Sequence, residues 1–221
     1  MGLRSHYTAE LEQLRLQVEV MTVRVEENLD RMRGALAGEP SGVASLAARV
    51  DDEVDAMNVS LTERCYEILA LQTPVASDLR LVVSVVRVLN ELERISDHAV
   101  RICRDAAAHH APCHPGALHD LLLTLADETI DRFHTARRAW GAMDLDLAVS
   151  LASGSPLAEA LHQRLIRELV QLHGPNAVEV ALRAASIARS LERISDHTTI
   201  IGARLRYLIT GDPAHLAAEI R

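Results

Sequence analysis

The sequence is poor in aromatic residues, which make up 2 % of it as one Trp, one Phe and three Tyr. β-Sheets are usually built on aromatic and β-branched residues, whereas Ala, Leu, Glu and Arg, which are abundant here, favour helices. The shortage of aromatic residues therefore argues against a sheet protein. Because 48 % of the residues are hydrophobic, the chain has ample material for a core, and we predict an all-α fold.

The sequence also lacks a cysteine framework and an excess of positive charge. Cys65, Cys103 and Cys113 are odd in number and scattered, which suits a reducing compartment better than a disulfide scaffold. The 23 Lys and Arg residues face 31 Asp and Glu residues, giving a formal net charge of −8. This balance gives no electrostatic footprint for a nucleic-acid partner, so nucleic-acid binding is not expected.

Long apolar runs are missing as well. No stretch reaches the roughly 18 uncharged apolar residues that a membrane span needs. The residues before Leu11 include Arg4, His6 and Glu10 with no apolar run, so no signal peptide is predicted. We therefore expect a cytoplasmic protein that meets a membrane only through its partners.

Glycine and proline residues divide the chain into six predicted helices. The first three span about residues 5–36, 43–72 and 74–108, with Thr73 as a candidate N-cap and Pro74 at the first helical position. The next three span about residues 117–140, 144–172 and 175–210. Since long helices joined by short turns pack as antiparallel neighbours, we predict two tandem antiparallel three-helix bundles, at residues 1–110 and 115–212.

An internal repeat supports this division. The stretch "LERISDH" occurs at residues 92–98 and again at 191–197, at matching points of the third and sixth predicted helices. Two copies are fewer than the three or so repeats that a stacked solenoid needs. A duplicated three-helix unit is therefore the expected architecture.

Each copy of the repeat carries two acids four residues apart, Glu93 with Asp97 and Glu192 with Asp196. Residues at this spacing are neighbours on a helix, where like charges repel by about 0.2 to 0.5 kcal/mol. On a helical wheel both pairs border the apolar arc, as do Asp51 and Asp55 on the second helix. Packing the second helix against the third could gather four carboxylates, and a cation would then relieve their repulsion.

Ordinary surface ion pairs are the competing interpretation of these acids. Arg94 and Arg101 lie within helical reach of Asp97, and Arg189 lies within reach of Glu192. Such exposed pairs contribute a few tenths of a kcal/mol and require no metal ion. Spacing alone does not decide between the two.

Other motifs point less clearly to a site. The segment at residues 103–119 contains Cys103, His109, His110, Cys113, His114 and His119. Their spacing fits no standard zinc finger, and a polar loop between the bundles explains them better than a zinc site.

Histidine placement argues against a di-iron enzyme of the ferritin type. Such enzymes need Glu-x-x-His on a helix, but Ser96 stands three residues after Glu93. His98 and His197 are expected to be solvated or in ion pairs, and Trp140 is expected to fill the bundle core.

Several stretches together resemble the PhoU family, the accessory and regulatory proteins of bacterial phosphate-specific transport. They are "AELEQLRLQVEVM" in the first helix, "TERCYEILALQTPVASDLRLVVSVVRVLNELERISDHAVRIC" across the second and third, and "ARSLERISDHTTII" in the sixth. The resemblance implies two tandem three-helix bundles with E/D-x-x-x-D motifs that bind metal ions. It places the motifs at Glu93 with Asp97, Glu192 with Asp196, and Asp51 with Asp55.

One position departs from the family pattern. In the fifth helix, Ser155 and Glu159 stand where two acids are expected, so Glu159 alone supplies a carboxylate there. The resemblance implies bound divalent or trivalent ions, among them Zn, Fe, Mg or Mn, and this substitution weakens the second site.

The resemblance further implies a function in phosphate homeostasis and no enzymatic activity. Members repress the phosphate-starvation response as negative regulators, relaying the state of the phosphate ABC transporter, through its ATPase subunit, to a sensor histidine kinase. A homodimer is also expected. Two alternatives remain: a carboxylate-type metal-binding or metal-storage bundle, and an oligomerisation scaffold without a ligand.

Overall fold

The computed structural model describes residues 3–39, 42–107 and 116–220. Its helices are α1 (Leu3–Leu36), α2 (Val43–Gln72), α3 (Ser77–Ala107), α4 (Ala117–Ala142), α5 (Leu145–Ala152), α6 (Pro156–Val170) and α7 (Ala177–Thr210), followed by a 3₁₀-helix (Pro213–Ile220). No strand occurs in these ranges, which confirms the all-α prediction. No helix in the described ranges is long and apolar enough to cross a membrane. The predicted domain limits at residues 110 and 115 lie outside the described residues.

The fifth predicted helix is in fact two helices. Helix α5 ends at Ala152 and α6 begins at Pro156, and Gly154 between them has a φ of 79°. Ser155 caps α6, because its hydroxyl accepts a hydrogen bond of 3.0 Å from the amide of Ala158, and Pro156 takes the first turn, where its missing amide costs nothing. The prediction of one unbroken helix from 144 to 172 was therefore wrong.

The start of the third helix also differs from the prediction. Thr73 ends α2 in a left-handed conformation with a φ of 49°, and Pro74 lies in the turn. Helix α3 begins only at Ser77, because Ala76 adopts a positive φ as well. Pro74 is buried in that turn and is not the first residue of a helix.

Two three-helix bundles account for the packing, as predicted. In the first, α1 and α3 run parallel with α2 antiparallel between them; Asn28 meets Ser96, and Glu10 meets Arg64. In the second, α4 and α7 are the long helices, and α5 and α6 together take the place of α2. Buried aliphatic residues of all seven helices join in a single core.

The two bundles meet through their long helices. Helices α3 and α7 pack against each other, as do α1 and α4. The contacts of Glu91 with His197 and of Asp105 with Ser186 show that α3 and α7 are antiparallel. Equivalent helices of the repeat therefore face each other around an approximate two-fold axis.

The candidate metal sites of the two repeats

Four carboxylates lie near one another in the first repeat, where α2 packs on α3. The pKa of Glu93 is raised by burial and by the nearby charges of Asp97 and Asp55. The pKa of Asp55 is raised by burial and then by Asp97. Burial raises the pKa of Asp51 too, and Asp97 and Asp55 add to it. The structure thus brings the predicted acids Asp51 and Asp55 of α2 close to Glu93 and Asp97 of α3.

A buried hydrogen-bond chain holds Asp51 in this cluster. The amide of Asn28 on α1 donates to the hydroxyl of Ser96 on α3 at 2.9 Å, and that hydroxyl donates to Asp51 Oδ1 at 2.7 Å. Asn28 and Ser96 are fully buried. The Ser96 hydrogen bond favours the ionised carboxylate, so it opposes the rise in the pKa of Asp51.

Within the part of the chain that the structure describes, no arginine is paired with any of the four acids. None of Asp51, Asp55, Glu93 and Asp97 forms a salt bridge with a residue that the structure describes. Arg94 does lower the pKa of Glu93, but from a distance. The surface ion pairs that the sequence allowed for Asp97 are not formed.

In this structure the four carboxylates do not converge on one point. Across the described ranges, no three His, Cys, Asp or Glu side chains are close enough to hold a common metal ion. The donor chemistry still fits a hard cation, because all four ligands are carboxylates and such ions prefer oxygen. Binding would require the side chains to rotate towards each other.

The equivalent acids of the second repeat are paired with arginines. Arg189 donates to Glu192 at 2.5 Å, and Arg193 lies 3.6 Å from Asp196. The pKa of Asp196 is raised by burial and by Glu192, while Arg193 and Arg189 lower it. The surface ion pair predicted for Glu192 is therefore present.

Ser155 and Glu159 line a cleft of about 500 Å³ that Glu192 and Asp196 also border. The hydroxyl of Ser155 donates to Glu128 on α4 at 2.7 Å while it accepts the capping bond from Ala158. Because this hydroxyl is neutral and already caps α6, Ser155 does not replace a carboxylate ligand. Glu159 is exposed at the edge of the cleft.

Arg132 on α4 lies beside this cleft and was not predicted as functional. Its guanidinium donates to the carbonyls of Gly154 at 2.8 Å and Leu151 at 3.0 Å, and to Thr199 Oγ1 at 3.1 Å. Burial lowers the pKa of Arg132, and the charge of Glu128 opposes that effect. Arg132 therefore ties the end of α5 to α7.

The remaining site predictions fare differently. His98 and His197 stack with ring centroids 5.8 Å apart between α3 and α7, and His197 lies 2.6 Å from Glu91. They belong to the contact between the repeats and are partly buried; of the two expected environments, His197 has the ion pair, whereas His98 is stacked on His197 and not simply solvated. Trp140 is buried in the core, as predicted. Most of the Cys and His loop, from His109 to His114, lies outside the described residues.

Sequence reasoning missed Asn28, Glu128 and Arg132. The signal available was the repeat itself, because the buried positions of α1 recur in α4 with a spacing of 104 residues. Examples are Val18 and Leu122, Met21 and Leu125, Leu29 and Phe133, and Met32 and Ala136. With this spacing Arg132 occupies the position of Asn28, a non-equivalence that comparing the two halves would have shown.

These features define a class of protein: a duplicated three-helix bundle with paired carboxylates on its long helices. A PhoU domain matches this chain twice, at residues 18–106 and 122–205. The chain belongs to the PhoU family.

Curated relatives cover nearly the whole chain. The "Phosphate-specific transport system accessory protein PhoU" of Escherichia coli is 32 % identical over 98 % of this chain and 91 % of its own length. The protein of the same name from Serratia marcescens is 31 % identical over 98 % of this chain and 90 % of its own length.

Solved structures agree with the fold. The crystal structure of PhoU from Pseudomonas aeruginosa has a TM-score of 0.87 at 31 % identity, covering 93 % of this chain and 100 % of that one. The crystal structure of the phosphate transport system regulatory protein PhoU from Streptococcus pneumoniae has a TM-score of 0.83, covering 93 % of this chain and 98 % of that one. At 23 % identity it supports the fold alone.

Proposed function

We propose that this protein is a cytoplasmic negative regulator of phosphate uptake and of the phosphate-starvation response. It would act as an adaptor between the ATPase subunit of the phosphate ABC transporter and a sensor histidine kinase. The observation that carries this proposal is the match, over 98 % of the chain, to accessory proteins of phosphate-specific transport. The role is one of signal transduction, without enzymatic activity.

Exposed apolar side chains support a docking role. Leu79 and Val83 on α3 are exposed, and their equivalents in the repeat, Val178 and Leu182 on α7, are exposed as well. Leu71 and Val75 precede the first pair along the chain, and Val170 precedes the second, with exposed fractions of 69 % to 80 %. Large apolar groups grouped on a surface mark interaction sites. Because α3 and α7 are antiparallel, the patches formed by the two pairs lie at opposite ends of the molecule.

The proposed occupant of these two patches is the transporter ATPase subunit. A protein that presents one binding surface twice suits a partner with two equivalent copies of its own surface. The family resemblance supplies the identity of that partner, and the kinase would bind elsewhere.

A pull-down with purified ATPase subunit tests the docking proposal. Val83→Ser with Leu182→Ser removes one large apolar group from each patch, and we expect at least a tenfold loss of affinity. Leu46→Ser with Val59→Ser makes the same change at exposed positions of α2 and should leave binding intact. Absence of association by the unmodified protein at both high and low phosphate would refute the adaptor function.

We further propose that the four acids of the first repeat bind a divalent or trivalent metal ion. The support is their mutual proximity, their lack of salt-bridge partners among the described residues, and a donor set made only of oxygen. A cation that binds only the folded state raises its stability by about 2.7 kcal/mol at a concentration of 100 Kd.

Thermal unfolding with a series of metal ions tests this site. We expect Mn²⁺ or Fe³⁺ to raise the Tm of the unmodified protein but not that of Asp55→Asn with Asp97→Asn. Asp120→Asn with Asp131→Asn removes two exposed acids of α4 and should preserve the shift. Equal Tm values in every metal would favour the scaffold without a ligand, whereas iron-dependent oxygen consumption would favour a storage or oxidase function.

Homodimer formation is the last part of the proposal. Leu16, Val20 and Val23 follow one stripe of α1 and are all at least 42 % exposed. Sedimentation of the unmodified protein should show a dimer, and Leu16→Ser with Val20→Ser should shift it towards the monomer. A monomer at high micromolar concentration would contradict this.

A further inference from the structure

At three positions around the acid pairs the second repeat is more positive than the first, although Glu128 on α4 stands where α1 has Arg24. Asp51 on α2 corresponds to Ser155, and Asn90 on α3 corresponds to Arg189 on α7. In the third pair, Asn28 on α1 corresponds to Arg132 on α4. Each change makes the second repeat more positive by one unit.

The side chains of the second repeat use this extra positive charge locally. Glu192 is bound to Arg189, and Asp196 lies beside Arg193, whereas Glu93 and Asp97 have no such partner among the described residues. Arg193 has an equivalent in Arg94, so the decisive difference on this helix is Asn90 against Arg189. Each acid of α7 thus has an arginine within 4 Å.

The place of Asp51 is also chemically altered in the second repeat. The hydroxyl of Ser155 is held between Glu128 and the amide of Ala158. Arg132 fixes the adjoining turn through the carbonyls of Leu151 and Gly154. These bonds anchor Ser155 as a helix cap, and Ser155 supplies no carboxylate at the position that Asp51 occupies in the first repeat.

We infer that cation binding is confined to the first repeat, and that the second repeat uses arginine side chains where the first would use a metal ion. The claim about the first repeat rests on the proposed function. The claim about the second stands on its own contacts. The second repeat does not lack space for a cation, since its cleft of about 500 Å³ has room for an ion. Its charge and its donor chemistry are what disfavour cation binding.

Loss-of-binding variants give the first test. Protein equilibrated separately with Mn²⁺ and Zn²⁺ is freed of unbound metal by gel filtration, and metal per chain is measured by elemental analysis. Zn²⁺ is included because His162 Nδ1 is buried without a hydrogen-bond partner at this cleft. Asp55→Asn with Asp97→Asn should lose the metal, and Glu192→Gln with Asp196→Asn should retain it. Loss of either metal in the second variant would overturn the inference.

A gain-of-binding variant gives the second test, and it does not depend on the first repeat. Ser155→Asp with Arg189→Asn restores the acid and removes the competing cation, while Asp remains a good N-cap for α6. We expect one additional site, so the metal content per chain should rise above that of the unmodified protein by the occupancy of one site. Ser45→Asp with Arg138→Asn makes the same chemical changes at exposed positions and should add none.

The two tests separate this inference from the proposed function. If the unmodified protein binds no metal but the Ser155→Asp, Arg189→Asn variant does, the first-repeat site is wrong and the inference for the second repeat stands. If that variant keeps its helical circular dichroism and gains no metal, the inference fails whatever the first repeat binds.

Discussion

Asn28 joins three helices through one hydrogen-bond chain. Its amide bonds Ser96 on α3, which in turn bonds Asp51 on α2, and both Asn28 and Ser96 are fully buried. A buried polar group that loses its partner costs about 1–3 kcal/mol. The chain therefore fixes the relative positions of the helices that carry the acids.

Asn28→Ala should lower the free energy of unfolding by about 1–3 kcal/mol, because Ser96 loses its donor in a buried site. Urea denaturation followed by circular dichroism measures this. Asn176→Ala is the matched control, since Asn176 is exposed and makes no capping bond with its side chain; it should change stability by less than about 0.5 kcal/mol. Equal effects of the two substitutions would contradict a structural role for the chain.

The cysteines of the first bundle should be chemically inert. Burial raises the pKa of Cys65 and of Cys103 to about 12 in each case. Since the thiolate is the reactive form, neither should react at neutral pH in the folded protein. In a Cys113→Ser variant, we expect no labelling by a thiol reagent at pH 8 until urea is added. Rapid labelling of the folded variant would show that these side chains become exposed.

Sequence reasoning was effective for the acids and weak for their supports. The repeat "LERISDH" and the 3.6-residue period located Glu93 and Asp97 at the edge of the apolar face. The partners of Ser96 could not be predicted this way, because Asn28 lies 68 residues away along the chain and on another helix. Periodicity shows which face of a helix is buried, but it does not show which residue of a neighbouring helix contacts that face.

At the scale of elements, the break between α5 and α6 is what distinguishes the repeats. The letters "SGSP" at 153–156 contain a flexible glycine, a capping serine and a proline suited to the first turn. These signals were present in the sequence, yet residues 144–172 were predicted as one continuous helix. Arg132 then stabilises the break by satisfying two carbonyls at the end of α5.

Helix α5 packs very closely on α7 at Gly202. A Cβ atom added at Gly202 would lie 2.5 Å from the Cβ of Leu151 and 2.9 Å from the amide nitrogen of Ala152. The nearest groups are backbone and the root of a side chain, so the helices themselves would have to move. This glycine is therefore required by the distance between two helices.

Gly202→Ala should destabilise the protein by about 1–3 kcal/mol, as overpacking of a core does. Gly42→Ala is a matched control, because a Cβ there meets nothing within 4 Å and the backbone is already right-handed. Its effect should be within about 1 kcal/mol of zero. Urea denaturation measures both, and a stable Gly202→Ala variant would mean that α5 can shift without loss.

At the scale of the whole molecule, the two repeats form one structural unit. Arg33 bonds Asp127 at 2.5 Å between α1 and α4, and Glu26 pairs with both Arg137 and His134 across the same contact. The exposed ion pairs contribute little individually. The apolar core that the long helices share stabilises this contact more than the ion pairs do, so the halves should not unfold separately.

The fold at this scale was largely predictable, and the contact between repeats was not. Bundle membership and duplication followed from breakers and periodicity, whereas the helix number did not, because the fifth predicted helix is divided into α5 and α6. The packing of α3 against α7 could not be predicted, because buried apolar residues such as Val88 and Leu92 would suit any neighbouring helix. Only the coordinates show that His98 and His197 stand at the two-fold axis.

The single tryptophan provides a test of this unity. Trp140 is buried at the contact of α4 with α1, where its indole nitrogen donates to the carbonyl of Arg15 at 3.3 Å. Its fluorescence therefore reports the contact between repeats, while circular dichroism reports helix content throughout the chain. If the repeats unfold together, the two signals should follow one urea transition with the same midpoint and slope.

Separate behaviour of the repeats would leave a clear signature in the same experiment. Tryptophan emission would shift at lower urea than the loss of helix, because the contact between α1 and α4 would open before the bundles melt. The shared core argues against this order, since separating the repeats exposes Trp140 and the apolar faces of α3 and α7 together. Coincident transitions that move together in Gly202→Ala, a substitution confined to the second repeat, would show that a defect in one half is felt by both.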